Sequence, residues 1–156
     1  MNGLLLFNRQ RTRRVNLALL RSFCRAALGE LIPEGEGDYQ IAVYLVDEAE
    51  IGRLNEKFLH HQGSTDVITL DHRGRAQEGP LSAEIFISLD EALRQARRYG
   101  TTWQSEIARY FIHGALHLLG RDDARPGLRR AMKRQEDRLL KELSRRFDWG
   151  KLEREQ

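Results

Sequence analysis

A chain of 156 residues with 40% hydrophobic side chains suits one globular domain with its own core, and it holds no apolar run long enough to cross a bilayer. Its net charge is +3 and its pI about 9.3, which permits a nucleic-acid partner without requiring one. The 26 basic side chains divide into 22 arginines and 4 lysines; the planar guanidinium fork suits phosphate, although biased codon usage explains the same count. The single cysteine, Cys24, cannot close an internal disulfide, which fits a reducing cytoplasm. At the N-terminus, MNGLLLFNRQRTRRV puts the apolar stretch before the charge, the reverse of an export signal.

Residues 3–7 (GLLLF) read as a short strand. Over 13–31 the apolar positions Val15, Leu19, Leu20, Phe23, Ala27 and Leu31 keep a helical spacing. A turn-rich break at 32–40 precedes a buried strand at 40–46. An acidic first turn and the residues Ile51, Leu54 and Phe58 predict a helix at 47–59. TDVITLD, 65–71, alternates and is rich in β-branched residues, the pattern of a strand. A loop at 72–82 leads to a strand at 83–88, then to helices at 89–99 and 103–119. Beyond RDDARPG a charged helix spans 127–147, with Leu128, Met132, Leu139 and Leu143 on one side. The expected fold is therefore α+β, a small mixed four-stranded sheet packed by helices. It forms a single domain over 1–147, with a loose tail at 148–156.

The segment with chemistry in it is HGALHLLGRDD, 113–123. His113 and His117 lie four apart on one helix face, where two imidazoles can grip one divalent ion. Gly120 can adopt a left-handed conformation and reverse the chain. A carboxylate such as Asp123 can then return to the same ion. Three protein ligands with one open position are the plan of a catalytic zinc site, in which the ion activates a water and polarises the bond under attack. The alternative is an ordinary helix that ends in a solvated RDD. Peptidases of the HExxH kind carry a glutamate after the first histidine; here the residue is Gly114, so a peptidase would lack its base.

Read with two other stretches, this segment resembles the rRNA maturation RNase family YbeY. The family signature H-G-x-L-H-L-x-G-Y-D-H reads here as HGALHLLGRDD. LNEKFLHHQGSTDVITL at 54–70 and AEIFIS at 83–88 match two more family motifs, and Met132 and Glu136 match a fourth. The match runs in order over about residues 40 to 140.

The resemblance implies a zincin-like metal site on a helix and the following turn, with His113, His117 and Asp123 holding one divalent metal ion, expected to be Zn2+. It also implies a single-strand-specific endoribonuclease of the cytoplasm that matures the 3′ end of 16S rRNA. Its expected partners are ribosomal RNA and the small ribosomal subunit, with no membrane and no DNA.

Three positions depart from the pattern. Asp123 replaces a third histidine, which opens the site to harder ions such as manganese or iron. Arg121 replaces a tyrosine and offers a phosphate contact. Leu59 replaces an arginine assigned to RNA binding or catalysis, for which His60, His61 or Arg121 are the available substitutes.

The candidate catalytic residues are Asp122, Asp66 and Arg121 and the general base is unassigned, with Asp122 better suited to orienting a ligand. Thr65 and Asp66 open a strand along the expected groove, or simply begin a strand. Glu84 stands where the family has an aspartate. Arg94, Arg97, Arg98 and Arg109 either face phosphate or form a solvated helix face. Leu59 also motivates a second reading, a non-catalytic ribosome-assembly factor with a structural metal. An iron oxygenase, from two histidines and a carboxylate, and a peptidase rank below both.

Overall fold

The computed structural model describes residues 2–33, 35–121 and 124–154. Four strands form one sheet in the order β1-β2-β4-β3: β1 (Gly3–Asn8), β2 (Tyr39–Val46), β3 (Val67–Asp71) and β4 (Leu81–Ser88). β1, β2 and β4 run parallel, and β3 is antiparallel to β4. The sheet is mixed, as the sequence predicts. β2 and β4 lie in its middle, and β4 is buried almost without interruption in its second half, as a strand covered on both faces must be.

The helices are α1 (Leu17–Leu31), α2 (Glu48–Leu59), α3 (Leu89–Tyr99), α4 (Trp103–Leu118) and α5 (Pro126–Ser144). Four of them start at a side-chain cap that accepts from a backbone N–H: Asn16, Asp47, Ser88 and Thr102. α5 has no such cap and begins on Pro126, whose missing N–H costs nothing there. α1 begins four residues later than the periodicity suggests. Val15 bridges to Glu153, and Asn16 caps the helix instead of joining it.

The helices divide between the two faces. Phe23 and Leu28 of α1, Phe111, Ile112 and Ala115 of α4, and Leu143 of α5 pack against Ile41, Val43, Leu45 and Ile85 in the main core. On the other face, Ile51 of α2 meets Val46, Ile68 and Phe86. α5 buries Met132, Glu136, Leu139, Leu140 and Leu143, whereas Leu128 is exposed one turn outside that stripe.

The C-terminal segment differs from the expected loose tail. Trp149–Leu152 forms a 3-10 turn, Leu152 is fully buried, and Trp149 packs edge-on to Phe23 at 4.9 Å. Arg154 N–H donates to the Arg14 carbonyl at 2.9 Å. Two well-spaced aromatics and one leucine suffice to dock the segment, a contact that no local pattern encodes. Leu152→Ala is therefore expected to lower stability by about 3 kcal/mol, read as a shifted urea midpoint. An unchanged midpoint would restore the loose tail.

Candidate active site

α4 lies directly on the sheet because Gly114 has no side chain. A Cβ there would stand 3.0 Å from Thr69 Cγ2 and 3.4 Å from Val67 Cγ2, closer than packed carbons tolerate. Position 114 thus faces the sheet. A glutamate there would be driven into Thr69, so the peptidase arrangement fails on space as well as on residue identity.

The flank of the helix beside Gly114 carries Tyr110, His113 and His117, which stand four residues before, one before and three after it. The two imidazoles meet edge to face with ring centres 4.7 Å apart, and their Nε2 atoms stand 3.1 Å apart. Behind His113, its Nδ1 lies 2.8 Å from Glu136 Oε2 on α5. Glu136 is buried, with 9% of its side chain exposed. A carboxylate at that position accepts the Nδ1–H, which fixes the ring and leaves Nε2 as the basic nitrogen turned toward His117. Two nitrogens about 2.0–2.1 Å from one tetrahedral ion stand roughly 3.3 Å apart. The donor pair therefore suits a shared divalent ion in spacing, in chemistry and in the carboxylate that backs it.

α4 ends as the sequence predicts. Gly120 is left-handed, at φ 86°. Its N–H donates to the His117 carbonyl at 3.0 Å, and the Arg121 N–H donates to the Leu116 carbonyl at 3.0 Å. Arg121 is exposed just past this turn. Asp122 and Asp123, the expected orienting group and third ligand, lie outside the described residues. Among the described residues, no three His, Cys, Asp or Glu side chains group as a metal cluster.

Asp66 lines a cavity of about 500 Å³ together with Tyr110, Arg109 and Lys133. Its Oδ1 accepts from the Val67 N–H at 2.7 Å and from Thr65 Oγ1 at 3.4 Å; the strand itself begins at Val67, so Thr65 and Asp66 stand just before it and do not open it. Asp66 also sits at the cavity one turn of α4 away from His113. Tyr110 is buried, and its hydroxyl has no hydrogen-bond partner among the described residues. Burial pushes its phenol pKa up, and Glu106 and Asp66 add to the rise.

Other expected residues lie elsewhere. Leu59 ends α2, on the far face of the sheet, and is exposed together with His60 and His61. Glu84 pairs with His72 at 2.9 Å. Arg94 is held by Glu48 and Glu91, Arg109 by Asp137 at 2.6 Å, and Arg98 leans over the Tyr99 ring.

Two residues that sequence reasoning passes over support the site. The Arg73 guanidinium grips Asp71 through Nε and Nη2, at 3.1 and 2.8 Å. It also donates to the Leu118 carbonyl at 2.9 Å, next to His117. A cation on the last carbonyls of a helix is favourable. The spacing D-x-R at the end of a strand is the only local signal of it.

A family model described as endoribonuclease YbeY matches residues 6–144. The Chlorobaculum parvum protein named endoribonuclease YbeY is 39% identical over 128 residues, covering 82% of this chain and 86% of that one. The protein of the same name from Chlorobaculum tepidum is 37% identical over 131 residues, covering 84% and 91%. A solution structure of a Thermotoga maritima protein overlays with a TM-score of 0.62 at 25% identity, over 90% of this chain and 89% of that one.

The Arg73 bond holds the Asp71 carboxyl below the usual carboxylate range. A lowered folded value means stability that is complete above the unfolded pKa and lost as pH falls through the folded one. Arg73→Gln is expected to cost about 2 kcal/mol at neutral pH. That difference should shrink in urea titrations below about pH 4. A gap that stays constant with pH would remove the ion pair as its source.

Proposed function

This chain belongs to the endoribonuclease YbeY family, and from that premise we propose that it is a metal-dependent, single-strand-specific endoribonuclease. Its proposed task is maturation of the 3′ end of 16S rRNA in the cytoplasm, with ribosomal RNA and the small ribosomal subunit as partners and with no membrane or DNA partner. Among the described residues, no helix is long and apolar enough to cross a membrane.

The observation that carries the metal dependence is the 3.1 Å approach of the His113 and His117 Nε2 atoms, with Glu136 behind the first ring. In this reading His113, His117 and Asp123 hold one divalent ion, Zn2+ by donor set. Such an ion supplies water activation at neutral pH and offsets charge on the phosphoryl oxygens. Glu136 keeps His113 in the tautomer that presents Nε2. Gly120 turns the chain so that Asp123 can return. Asp66, on the wall of the neighbouring cavity, is the described candidate for accepting a proton, with Asp122 the other carboxylate; Arg121 is a candidate phosphate contact.

A second reading is favoured by one observation. Leu59, at the family's arginine position, is exposed on α2, on the opposite face of the sheet from α4. That motivates a non-catalytic assembly factor with a structural metal.

Untagged protein, His117→Ala and Asp123→Ala are to be compared for metal content and for cleavage of single-stranded rRNA. The expected result is about one ion per chain, with metal and cleavage lost together in both variants. Metal without cleavage in the unmodified chain would leave the assembly factor standing. A metal-free unmodified chain would sink both readings of the histidine pair.

A further inference from the structure

We propose that the loop following β1, together with Arg154, is a second RNA-binding site that grips the phosphate backbone of the strand at a distance from the histidine pair. The identity of the partner rests on the endoribonuclease reading; the site itself rests on the following geometry.

Residues 9–14 read RQRTRR. Arg11, Arg13, Arg14 and Arg154 line a cavity of about 660 Å³, and among the described residues Glu153 is the one carboxylate on its wall. Among the described lining residues, four arginines stand against one glutamate. Glu153 lies 3.7 Å from Arg13, whereas Arg11, Arg14 and Arg154 have no carboxylate within ion-pair distance among the described residues. Uncompensated guanidiniums in a concave wall attract a polyanion.

The loop is built rather than loose. Gln10 is buried, with 5% exposure, and its amide is fully used. Its Nε2 donates to Asn8 Oδ1 at 2.9 Å and to the Arg13 carbonyl at 2.7 Å. Its Oε1 accepts from the N–H groups of Thr12 at 2.8 Å and Arg13 at 3.0 Å. The docked C-terminal segment closes the other side through the Arg14–Arg154 backbone bond. The backbone that carries the arginines is therefore ordered before any ligand arrives, which lowers the entropic cost of binding.

Shared lining residues lead from this cavity toward the candidate active site. Arg13 lines a second recess of about 300 Å³ against Arg97 and Thr101. Thr101 in turn lines the cavity of Asp66, Tyr110 and Lys133. Tyr110 precedes His113 by one turn of α4, and Lys133 precedes Glu136 by one turn of α5. From Trp103 to His113 the helix axis alone covers about 15 Å. At a stacked spacing of about 3.4 Å per nucleotide, a strand of about four nucleotides at the histidines falls short of the arginines, whereas one of about twenty reaches them.

The test is Arg11→Gln/Arg13→Gln/Arg14→Gln, with the corresponding triple lysine variant as control. Binding of single-stranded RNA of about twenty and about four nucleotides is followed by fluorescence anisotropy over a salt series, together with thermal unfolding. For the long RNA, affinity should fall at least about tenfold, and the slope of log K against log salt should flatten by about 2, at about 0.7 per phosphate contact. Binding and cleavage of the short RNA should not change, the lysine variant should keep the slope, and the melting midpoint should hold. An unchanged slope overturns the proposal. So does an equal loss on both RNAs, or arginine-dependent binding to anionic lipid vesicles with RNA binding intact. Arginine-dependent binding of long RNA by a chain that cleaves neither RNA would support this site while sinking the catalytic reading.

Discussion

The contact between α4 and the sheet governs the rest of the molecule. It is made at Gly114, where a Cβ would stand only 3.0 Å from Thr69 Cγ2, so that any side chain would crowd the sheet. The helix periodicity then does the remaining work. One face, through Phe111 and Ala115, is committed to the core. The flank beside Gly114, on the side away from Phe111 and Ala115, carries His113 and His117 at neighbouring heights. A side chain at 114 would press on Thr69, and the neighbours would have to give by a few tenths of an ångström to keep the helix seated where His113 meets Glu136 at 2.8 Å.

A site this small needs its helix fixed at both ends. At the start, Thr102 caps Ser105, and Thr101 Oγ1 donates to the buried Glu106 at 2.7 Å, where a carboxylate also meets the positive end of the helix dipole. At the end, Arg73 reaches from the β3 side to the Leu118 carbonyl, and Gly120 turns the chain sharply. Between these anchors His113 and His117 are separated by a single turn, so their spacing is set by the helix itself. The orientation of the His113 ring is set by a third element, α5, through Glu136. Three elements therefore converge on two imidazoles. That is the degree of support a metal or catalytic constellation requires.

Local pattern carried much of this. The histidine spacing, the glycine turn and the helix caps are periodic or punctuated features, and the elements form close to where such features place them. β4 starts at Leu81, two residues before its apolar run, because Leu81 pairs with Tyr39 of β2, a long-range fact. The Arg73–Leu118 bond joins residues 45 apart in sequence and no window contains both. The docked tail is similar: Trp149 and Leu152 look like strays until Phe23, far upstream, supplies the surface. Leu128 errs the other way, matching the α5 stripe by spacing but pointing to water at the first turn. Glu136 was legible only through a motif, since a glutamate among arginines and leucines gives no hint that it will be buried against an imidazole.

Charge illustrates the same limit. A net +3 is weak grounds for any partner, because it averages over carboxylates that cancel arginines locally. Arg94 and Arg109 are spent on neighbouring acids, so their positive charge is largely satisfied within the fold. The loop of Arg11, Arg13 and Arg14 differs in that its buried centre is the neutral Gln10, which shapes the backbone without consuming a guanidinium. A carboxylate in that role would have used the arginines to stabilise the loop. An amide orders the loop through its own donor and acceptor and leaves their charge available. Whether an arginine contributes to binding is thus decided by what holds its backbone, and the count of basic residues cannot show it.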